Sequence, residues 1–135
     1  REKLRAHLVN KVRFEPTKKD TEHNDPESIF IEEAILLVEE NLLNEDFDIK
    51  TMMDKLCMSQ SSLYRKIKSL TGLSLTGFIR SIRLKKAAEM ILSENKKLST
   101  VALGVGFNDY KYFRKSFEKQ FDCLPSEYRN IKNKS

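Results

Sequence analysis

The chain has 135 residues and carries 25 Lys and Arg against 20 Asp and Glu, for a formal net charge of +5. This length suits one compact domain with a tail rather than two ordinary domains. The hydrophobic fraction of 39% and the charged fraction of 33% are typical of a globular protein with a modest core. No apolar run approaches the roughly 18 residues of a membrane span. With no basic-then-apolar leader, we expect a cytoplasmic segment without membrane contact.

Two residue types that often mark a chemical site give no such signal here. Cys57 and Cys123 lie far apart and form no zinc-type or disulfide-type spacing, and His7 and His23 precede the helical part of the chain. The chain also lacks a glycine-rich phosphate loop and a Ser or Cys beside a suitable base. We therefore expect no catalysis by this domain, no cofactor and no metal ion.

The charge is unevenly distributed along the chain. Residues 1–19 contain seven Lys and Arg against two Asp and Glu, whereas residues 20–46 contain ten acidic residues and no Lys or Arg. Residues 47–135 contain eighteen basic and eight acidic residues. The positive charge that could contact phosphate is therefore concentrated in the C-terminal two thirds.

The pattern of caps and apolar residues predicts an all-α fold. Residues 1–24 form an expected linker from a missing upstream domain, 25–131 the folded domain and 132–135 a tail. No segment alternates with the period of a strand for long enough to predict one. Seven helices are predicted: from the Asp25 cap and Pro26 to about Leu43, from the Asp48 cap to about Leu56, from the Ser59 cap to about Leu70, from about Ser74 to Glu94, from the Ser99 cap to Val105, from Asn108 or Asp109 to about Gln120, and from Pro125 to about Asn130.

Several core positions and helix ends follow from the same pattern. Gly72 and Gly106 are expected at helix C-termini, where a glycine accepts the left-handed conformation. Cys57 lies on what the pattern indicates is a buried side, and we expect it to pack as a small apolar residue. Four phenylalanines are expected to form an aromatic core rather than a ligand pocket: Phe107, Phe113, Phe117 and Phe121.

Two segments repeat one plan, a short helix followed by a tight turn and a capped polar helix. They cover about residues 48–70 and 99–121, and a long helix over about 74–94 links them. This plan is typical of a helix-turn-helix, in which the first helix braces a second helix that enters the major groove of DNA. The linking helix would span about 30 Å, close to the roughly 34 Å between successive major grooves. One chain could therefore read two groove segments.

The outward face of each second helix carries hydrogen-bond donors. In the first unit, Arg65 could contact a guanine, and Gln60 or Ser61 could reach nearby base edges. Lys66 and Lys68 are better suited to phosphate, and Arg80 and Arg83 of the linking helix to phosphate or to a contact between the two units. The remaining outward residues are Tyr64 in the first unit and Tyr110, Lys111, Arg114 and Lys115 in the second.

Each of these faces also has an ordinary interpretation as a solvated helix surface. That interpretation is weaker here than for a single basic helix, because the second helix of both units is basic at matched positions. The alternative from another functional class is a helical protein-interaction module whose basic faces dock acidic partner proteins. Salt dependence and preference for one duplex sequence would separate the two.

The chain resembles the AraC/XylS family of transcription regulators over about Phe30 to Asn130. In the second half the resemblance rests on Ala102–Phe107, Tyr112, Phe113, Phe117 and Pro125–Arg129. In the first half it rests on Leu56, Ser59, Leu63–Lys66, Thr71, Gly72, Phe78, Ile79 and Arg83–Ala87. The sequence departs from the family pattern at Asp122, where Gly is usual, and at Gly104, where Ala is common.

The resemblance implies seven helices in two homeodomain-like helix-turn-helix subdomains that bind promoter DNA, with RNA polymerase as a candidate partner. By position, it implies base-reading roles for Gln60, Ser61, Tyr64, Arg65, Tyr110, Lys111, Tyr112, Arg114 and Lys115.

The segments Ser62–Gly72 and Phe78–Leu84 are similar to the output domains of hybrid two-component regulators. This similarity implies an upstream receiver domain whose phosphorylation governs DNA binding. It also implies a longer protein, which could be anchored in a membrane and carry histidine kinase activity elsewhere. The acidic helix around Glu32, Glu33, Glu39 and Glu40 is then either a contact surface or a solvated face.

Overall fold

The computed structural model of the protein describes residues 25–43 and 49–134, with side chains up to Asn130. Every element in these ranges is an α-helix, so the predicted all-α fold of seven helices is confirmed for this part of the chain. The predicted linker 1–24 and the predicted cap Asp48 lie outside the described residues. The helices are α1 (Pro26–Glu40), α2 (Ile49–Leu56), α3 (Gln60–Thr71), α4 (Leu75–Ser93), α5 (Leu98–Gly104), α6 (Tyr110–Phe121) and α7 (Pro125–Lys134).

Two compact units share the chain, and the boundary between them falls between Ile82 and Arg83, inside α4. Each unit contains one short helix followed by one 12-residue helix, as the repeated plan predicted. The linking helix predicted over about 74–94 is α4. Ser74 precedes it, and the Ser74 hydroxyl accepts a hydrogen bond of 3.1 Å from the amide of Gly77.

The core of the first unit forms where one face of α1 packs against α2 and α3. The apolar residues of α1 recur at helical spacing, and the same core takes in Met52, Leu63 and Ile67, which are fully buried. The buried positions of α1 are Phe30, Ile31, Ala34, Ile35 and Val38.

Helix α1 ends at Glu40, earlier than the predicted end at about Leu43. The Asn41 backbone amide donates to the Val38 carbonyl at 3.1 Å, and the Asn41 side chain donates to the Leu37 carbonyl at 2.8 Å. These bonds satisfy carbonyls that the last turn would otherwise leave unpaired. Leu43 is 68% exposed, so no burial of this side chain favours a longer helix.

The core of the second unit contains a cluster of aromatic rings beside its buried aliphatic residues. Phe113 and Phe117 of α6 are fully buried, and their ring centroids lie 5.8 Å apart. Phe107 meets Phe113 edge-on at 5.2 Å, and Phe121 lies 4.6 Å from Phe117. The predicted aromatic core is confirmed. Pairs of this geometry add about 0.5–1.5 kcal/mol each beyond the area they bury.

Arg129 of α7 joins the end of α4 to the last helix. Its Nε donates to the Ile91 carbonyl and its Nη2 donates to the Glu94 carbonyl, each at 3.2 Å. A cation at a helix C-terminus also interacts favourably with the helix dipole. Helix α7 continues to Lys134, beyond the predicted end near Asn130, so most of the predicted tail 132–135 is helical.

The two helix-turn-helix turns have the same backbone plan. Cys57 (φ 56°) and Gly106 (φ 96°) both adopt the left-handed conformation just after the short helix. In each turn the next amide reaches back five residues, from Met58 to Met53 at 3.0 Å and from Phe107 to Ala102 at 2.9 Å. This pattern is a Schellman motif. Cys57 is exposed, so the prediction that it packs in the core was wrong: the turn directs its side chain to solvent.

The start of α5 also differs from the prediction. The helix begins at Leu98 with Lys97 as the N-cap residue, and no side chain caps it, so the prediction of a Ser99 cap was wrong. Gly104 is the last residue of this helix. A Cβ at this position would lie 3.3 Å from Met90 Cε, so the flexible end of the Met90 side chain would have to move by a few tenths of an ångström.

Candidate nucleic-acid interface

The two candidate recognition helices, α3 and α6, are built alike. Each has 12 residues, and each residue of α3 has its equivalent 50 positions later, from Gln60 and Tyr110 onward. Both helices end at a left-handed residue whose amide donates 2.8 Å to the carbonyl four residues earlier. That residue is Gly72 in the first unit and Asp122 in the second. Asp122 therefore adopts the conformation for which a glycine would be the usual choice.

Side chains of the predicted capping residues hold the first turn of each helix. The Ser59 hydroxyl accepts from the Ser62 amide at 3.3 Å. One Asp109 carboxylate oxygen accepts from the amides of Lys111 and Tyr112 at 3.0 and 3.4 Å. The Ser59 cap is confirmed, and Asp109 rather than Asn108 caps α6. These bonds fix the end of each helix that a helix-turn-helix directs toward the bases.

The outward face of α3 is separate from its packing face. Leu63 and Ile67 are fully buried, whereas the side chains on the opposite side of the helix point to solvent. Tyr64 is 40% exposed although it is aromatic, so it is available for contact. The exposed side chains are Gln60, Ser61, Tyr64, Arg65 and Lys68. The structure thus brings the sequence-predicted residues of the first unit together on one face.

The outward face of α6 carries the second predicted set. Tyr110, Lys111, Tyr112, Arg114 and Lys115 are all exposed, while Phe113, Ser116 and Phe117 are buried. Like Tyr110, whose ring centroid is 5.8 Å from that of Phe113, Tyr112 lies near a core ring, with its centroid 5.8 Å from that of Phe107. It is the equivalent of Ser62 rather than of an outward residue of α3.

The residues predicted to contact phosphate differ in their exposure and in the contacts they make within the protein. Lys68 is exposed, Arg80 is partly exposed, and the ammonium of Lys66 lies over the Phe30 ring, 5.0 Å from its centroid. Arg83 is half-buried and donates 3.0 Å from Nη1 to the Val105 carbonyl. Burial lowers the pKa of Arg83 from its ordinary value. The hydrogen bond to Val105 engages one of the five guanidinium N–H donors in a contact within the second unit.

One residue of the α6 face was missed by the sequence reasoning. Glu118 is exposed and lies on the same face as Lys111 and Lys115, at the position equivalent to Lys68 of α3. Aligning the two helices 50 residues apart would have found it. A carboxylate here lowers the positive charge of the second face and could accept a hydrogen bond from the amino group of cytosine.

The described part of the chain contains no cluster of side chains that could bind a metal ion. Within residues 25–43 and 49–130, no three His, Cys, Asp or Glu side chains come close enough together to hold a metal ion. None of the described helices combines the length and the apolar character that crossing a membrane requires.

Comparison with known proteins identifies relatives with this architecture. Residues 52–131, more than half of the chain, match the family described as a helix-turn-helix domain. Histidine kinase P4 of Formosa agariphila is 34% identical over 131 residues, which are 91% of this chain and 10% of that protein. The arabinose operon regulatory protein of Escherichia coli is 28% identical over 99 residues, 73% of this chain and 34% of that protein. The chain thus spans about a tenth of the length of the histidine kinase and about a third of the length of the arabinose regulator.

Solved structures show the same fold. The C-terminal domain of AraT, a response regulator from Geobacillus stearothermophilus, is similar with a TM-score of 0.67 and 27% identity, covering 79% of this chain and 88% of that one. The DNA-binding domain of the global transcriptional factor AdpA, solved in complex with a target DNA, gives a TM-score of 0.63 at 25% identity. That match covers 79% of this chain and 92% of the AdpA chain. These similarities favour nucleic acid over acidic proteins as the ligand of the basic faces.

Proposed function

The chain belongs to the AraC-type helix-turn-helix family of DNA-binding transcription regulators, and from this premise we propose that α3 and α6 both read promoter DNA in the major groove. The observation that carries the proposal is the repeated construction of the two helices. Each is capped at its first turn, packed on one face and exposed along the other. A rigid helix with an exposed polar face is what major-groove recognition requires.

In the first unit, we assign base contacts to Gln60, Ser61, Tyr64 and Arg65. Arg65 carries the fork of donors that matches guanine O6 and N7, and a good bidentate pair contributes about 1–3 kcal/mol of discrimination. Lys68 lies on the same exposed face and is suited to phosphate.

In the second unit, we assign base contacts to Tyr110, Lys111, Arg114 and Lys115. Tyr112 has a different role from these, because it occupies the position of Ser62, on the flank of the helix, rather than that of an outward residue of α3. From that flank its hydroxyl is suited to a phosphate rather than to a base edge. The two units would then contribute unequally, with more direct base reading by α3.

We also propose that this domain is the output module of a longer two-component protein in the cytoplasm. The support is that AraT is a response regulator and that a histidine kinase contains a segment 34% identical to this chain. An upstream receiver domain would control access to DNA through its phosphorylation, and RNA polymerase would be a partner at the promoter. Kinase chemistry would reside elsewhere in that protein.

Selection of bound duplexes from a random pool tests the proposal. We expect the selected duplex to bind about 4–10 kcal/mol more tightly than a scrambled duplex, with a steep loss of affinity as salt increases. Arg65→Ala should cost about 1–3 kcal/mol on the selected duplex and relax the preference at one base pair.

Lys50→Ala is the matched control, because it removes one exposed positive charge from α2 of the same unit. It should leave the preference for the selected duplex unchanged. Equal affinity for selected and scrambled duplexes would contradict sequence-specific reading and favour the protein-docking alternative. An Arg65→Ala effect of equal size on every duplex would make Arg65 a phosphate contact.

A further inference from the structure

The outer face of α1 carries apolar side chains that its own unit leaves exposed. Ile29 and Leu36, two turns apart, are 41% and 47% exposed. They lie opposite the stripe through Ala34 and Val38, which is fully buried. Single exposed apolar residues are common on protein surfaces, but two on the same helical line form a stripe.

Beside Leu36 this stripe opens into a groove between α1 and α2. The groove has a volume of about 380 Å³, and its apolar wall comes from Leu36, Leu37 and Leu56. Carboxylates of α1 line the rim at Glu32, Glu33 and Glu40, with one basic side chain, Lys55, on the α2 side. An apolar floor with a mostly acidic rim matches an amphipathic helix that has basic flanks.

The first residues of this chain have that composition. Leu4, Leu8 and Val12 recur every fourth residue, so they would share one face of a helix. Arg5 and Lys11 would flank that face. Seven of the first 19 residues are basic, whereas the segment from residue 20 to 46 has ten acidic residues and no Lys or Arg. The two segments are therefore electrostatically complementary.

The tether between the two segments is long enough for contact. Residues 13–24 separate Val12 from Asp25, and twelve extended residues reach about 40 Å. Helix α1, with 15 residues, is only about 22 Å long. A second copy of the chain is a poorer occupant, because it would bring another acidic α1 rim against this one.

We propose that residues Arg1–Val12 dock as an amphipathic helix on the outer face of α1 and in the groove beside α2. Leu4, Leu8 and Val12 cover Leu36 and Ile29, while Arg5 and Lys11 approach the carboxylates of the rim. Because α1 packs against both α2 and α3, the docked segment contacts the helices that support the first recognition helix. Whatever precedes this segment in a longer protein would then be coupled to the first unit.

Amide hydrogen exchange of the full 135-residue chain, followed by NMR, tests this proposal. We expect the amides of residues 4–12 to exchange at least about tenfold more slowly than in an unstructured peptide. Leu36→Asp and Leu8→Asp should each bring these rates back to those of the peptide. Leu103→Asp is the matched control, because Leu103 is 58% exposed on α5 of the other unit, and it should leave the rates unchanged.

Two results would overturn the proposal. One is exchange of residues 4–12 at peptide rates in the unsubstituted chain, and the other is protection that survives Leu36→Asp. Sedimentation at several protein concentrations tests whether a second copy of the chain occupies this face instead. If the chain dimerises and Leu36→Asp abolishes the dimer, the face is an interface between copies, and intramolecular docking is wrong. Far-ultraviolet circular dichroism verifies that each variant keeps its helices.

Discussion

Arg83 and Val105 are joined by a hydrogen bond of 3.0 Å between residues 22 positions apart, from the guanidinium Nη1 to a backbone carbonyl. The carbonyl belongs to the residue just before Gly106, in the turn of the second helix-turn-helix. The bond therefore ties α4 to that turn and helps to fix the start of α6.

Replacing Arg83 should consequently affect stability before it affects DNA contacts. A hydrogen bond that involves a charged group contributes about 1.5–3 kcal/mol, and we expect Arg83→Ala to lower the free energy of unfolding by that amount. Urea unfolding followed by circular dichroism measures it. Arg114→Ala, an exposed position on α6, should change stability by less than about 0.5 kcal/mol. If Arg83→Ala leaves stability unchanged and makes the salt dependence of DNA binding shallower, Arg83 contacts a phosphate.

The left-handed residue of the first turn predicts a stabilising substitution. The left-handed conformation costs an L-residue about 1–2 kcal/mol, and replacement by glycine removes this cost. Glycine also has more conformational freedom in the unfolded chain, which offsets about 0.5–1 kcal/mol of the stabilisation. Because the Cys57 side chain is exposed, Cys57→Gly should stabilise the protein by about 0.5–1 kcal/mol. Gly106→Ala is the reciprocal variant and should destabilise the protein by about 0.5–1 kcal/mol, by the same two effects with opposite sign. Destabilisation by Cys57→Gly would mean that the thiol has a packing role.

Removal of the capping side chain of α3 or of α6 should lower stability by similar amounts. Ser59→Ala and Asp109→Ala should each cost about 1 kcal/mol, because each leaves amides of the first turn without their acceptor. Ser99→Ala provides the comparison, since Ser99 lies inside α5 and caps nothing. It should change the free energy of unfolding by less than about 0.5 kcal/mol. A loss at Ser99 equal to that at Ser59 would show that α5 begins later than described.

The charge of the second face predicts a change in DNA affinity. Glu118→Lys replaces an exposed carboxylate between basic residues of α6, and it should tighten binding to every duplex. If the new lysine reaches a phosphate, the salt slope should steepen by about 0.9. Glu39→Lys, an equal charge change on α1, should leave that slope unaltered. If Glu118→Lys instead removes the preference at a single base pair, Glu118 reads a base. No change on any duplex would place α6 away from DNA.

Features set by residues close together in sequence were predictable. The caps Ser59 and Asp109, the burial of Phe113 and Phe117, and the exposure of Arg65 all follow from spacing and side-chain chemistry within one helix. These properties depend on helix periodicity and on a few neighbouring bonds, which the sequence displays directly.

Features set by contacts distant in sequence were not predictable. The hydrogen bond of Arg83 to a carbonyl 22 residues away could not be predicted from its place on the linking helix, which left open a phosphate contact and a contact between the two units. Cys57 fits an apolar stripe by its position, but the left-handed turn removes it from that stripe. The Ser99 prediction failed because any Ser near a helix start resembles a cap, whereas the backbone of Lys97 marks the actual start. Comparison of the two repeats at the 50-residue interval would not have corrected the Cys57 prediction, because it aligns Cys57 with Phe107, whereas the left-handed residue of the second turn is Gly106.

The register shared by α3 and α6 makes the two recognition helices interchangeable in principle. Their caps, their terminal left-handed residues and the two fully buried pairs Leu63/Phe113 and Ile67/Phe117 correspond at a constant interval of 50 residues. The solvent-facing side chains differ between the two helices. Transplanting the outward residues of one helix onto the other should therefore transfer the base preference of that helix while each unit keeps its own core.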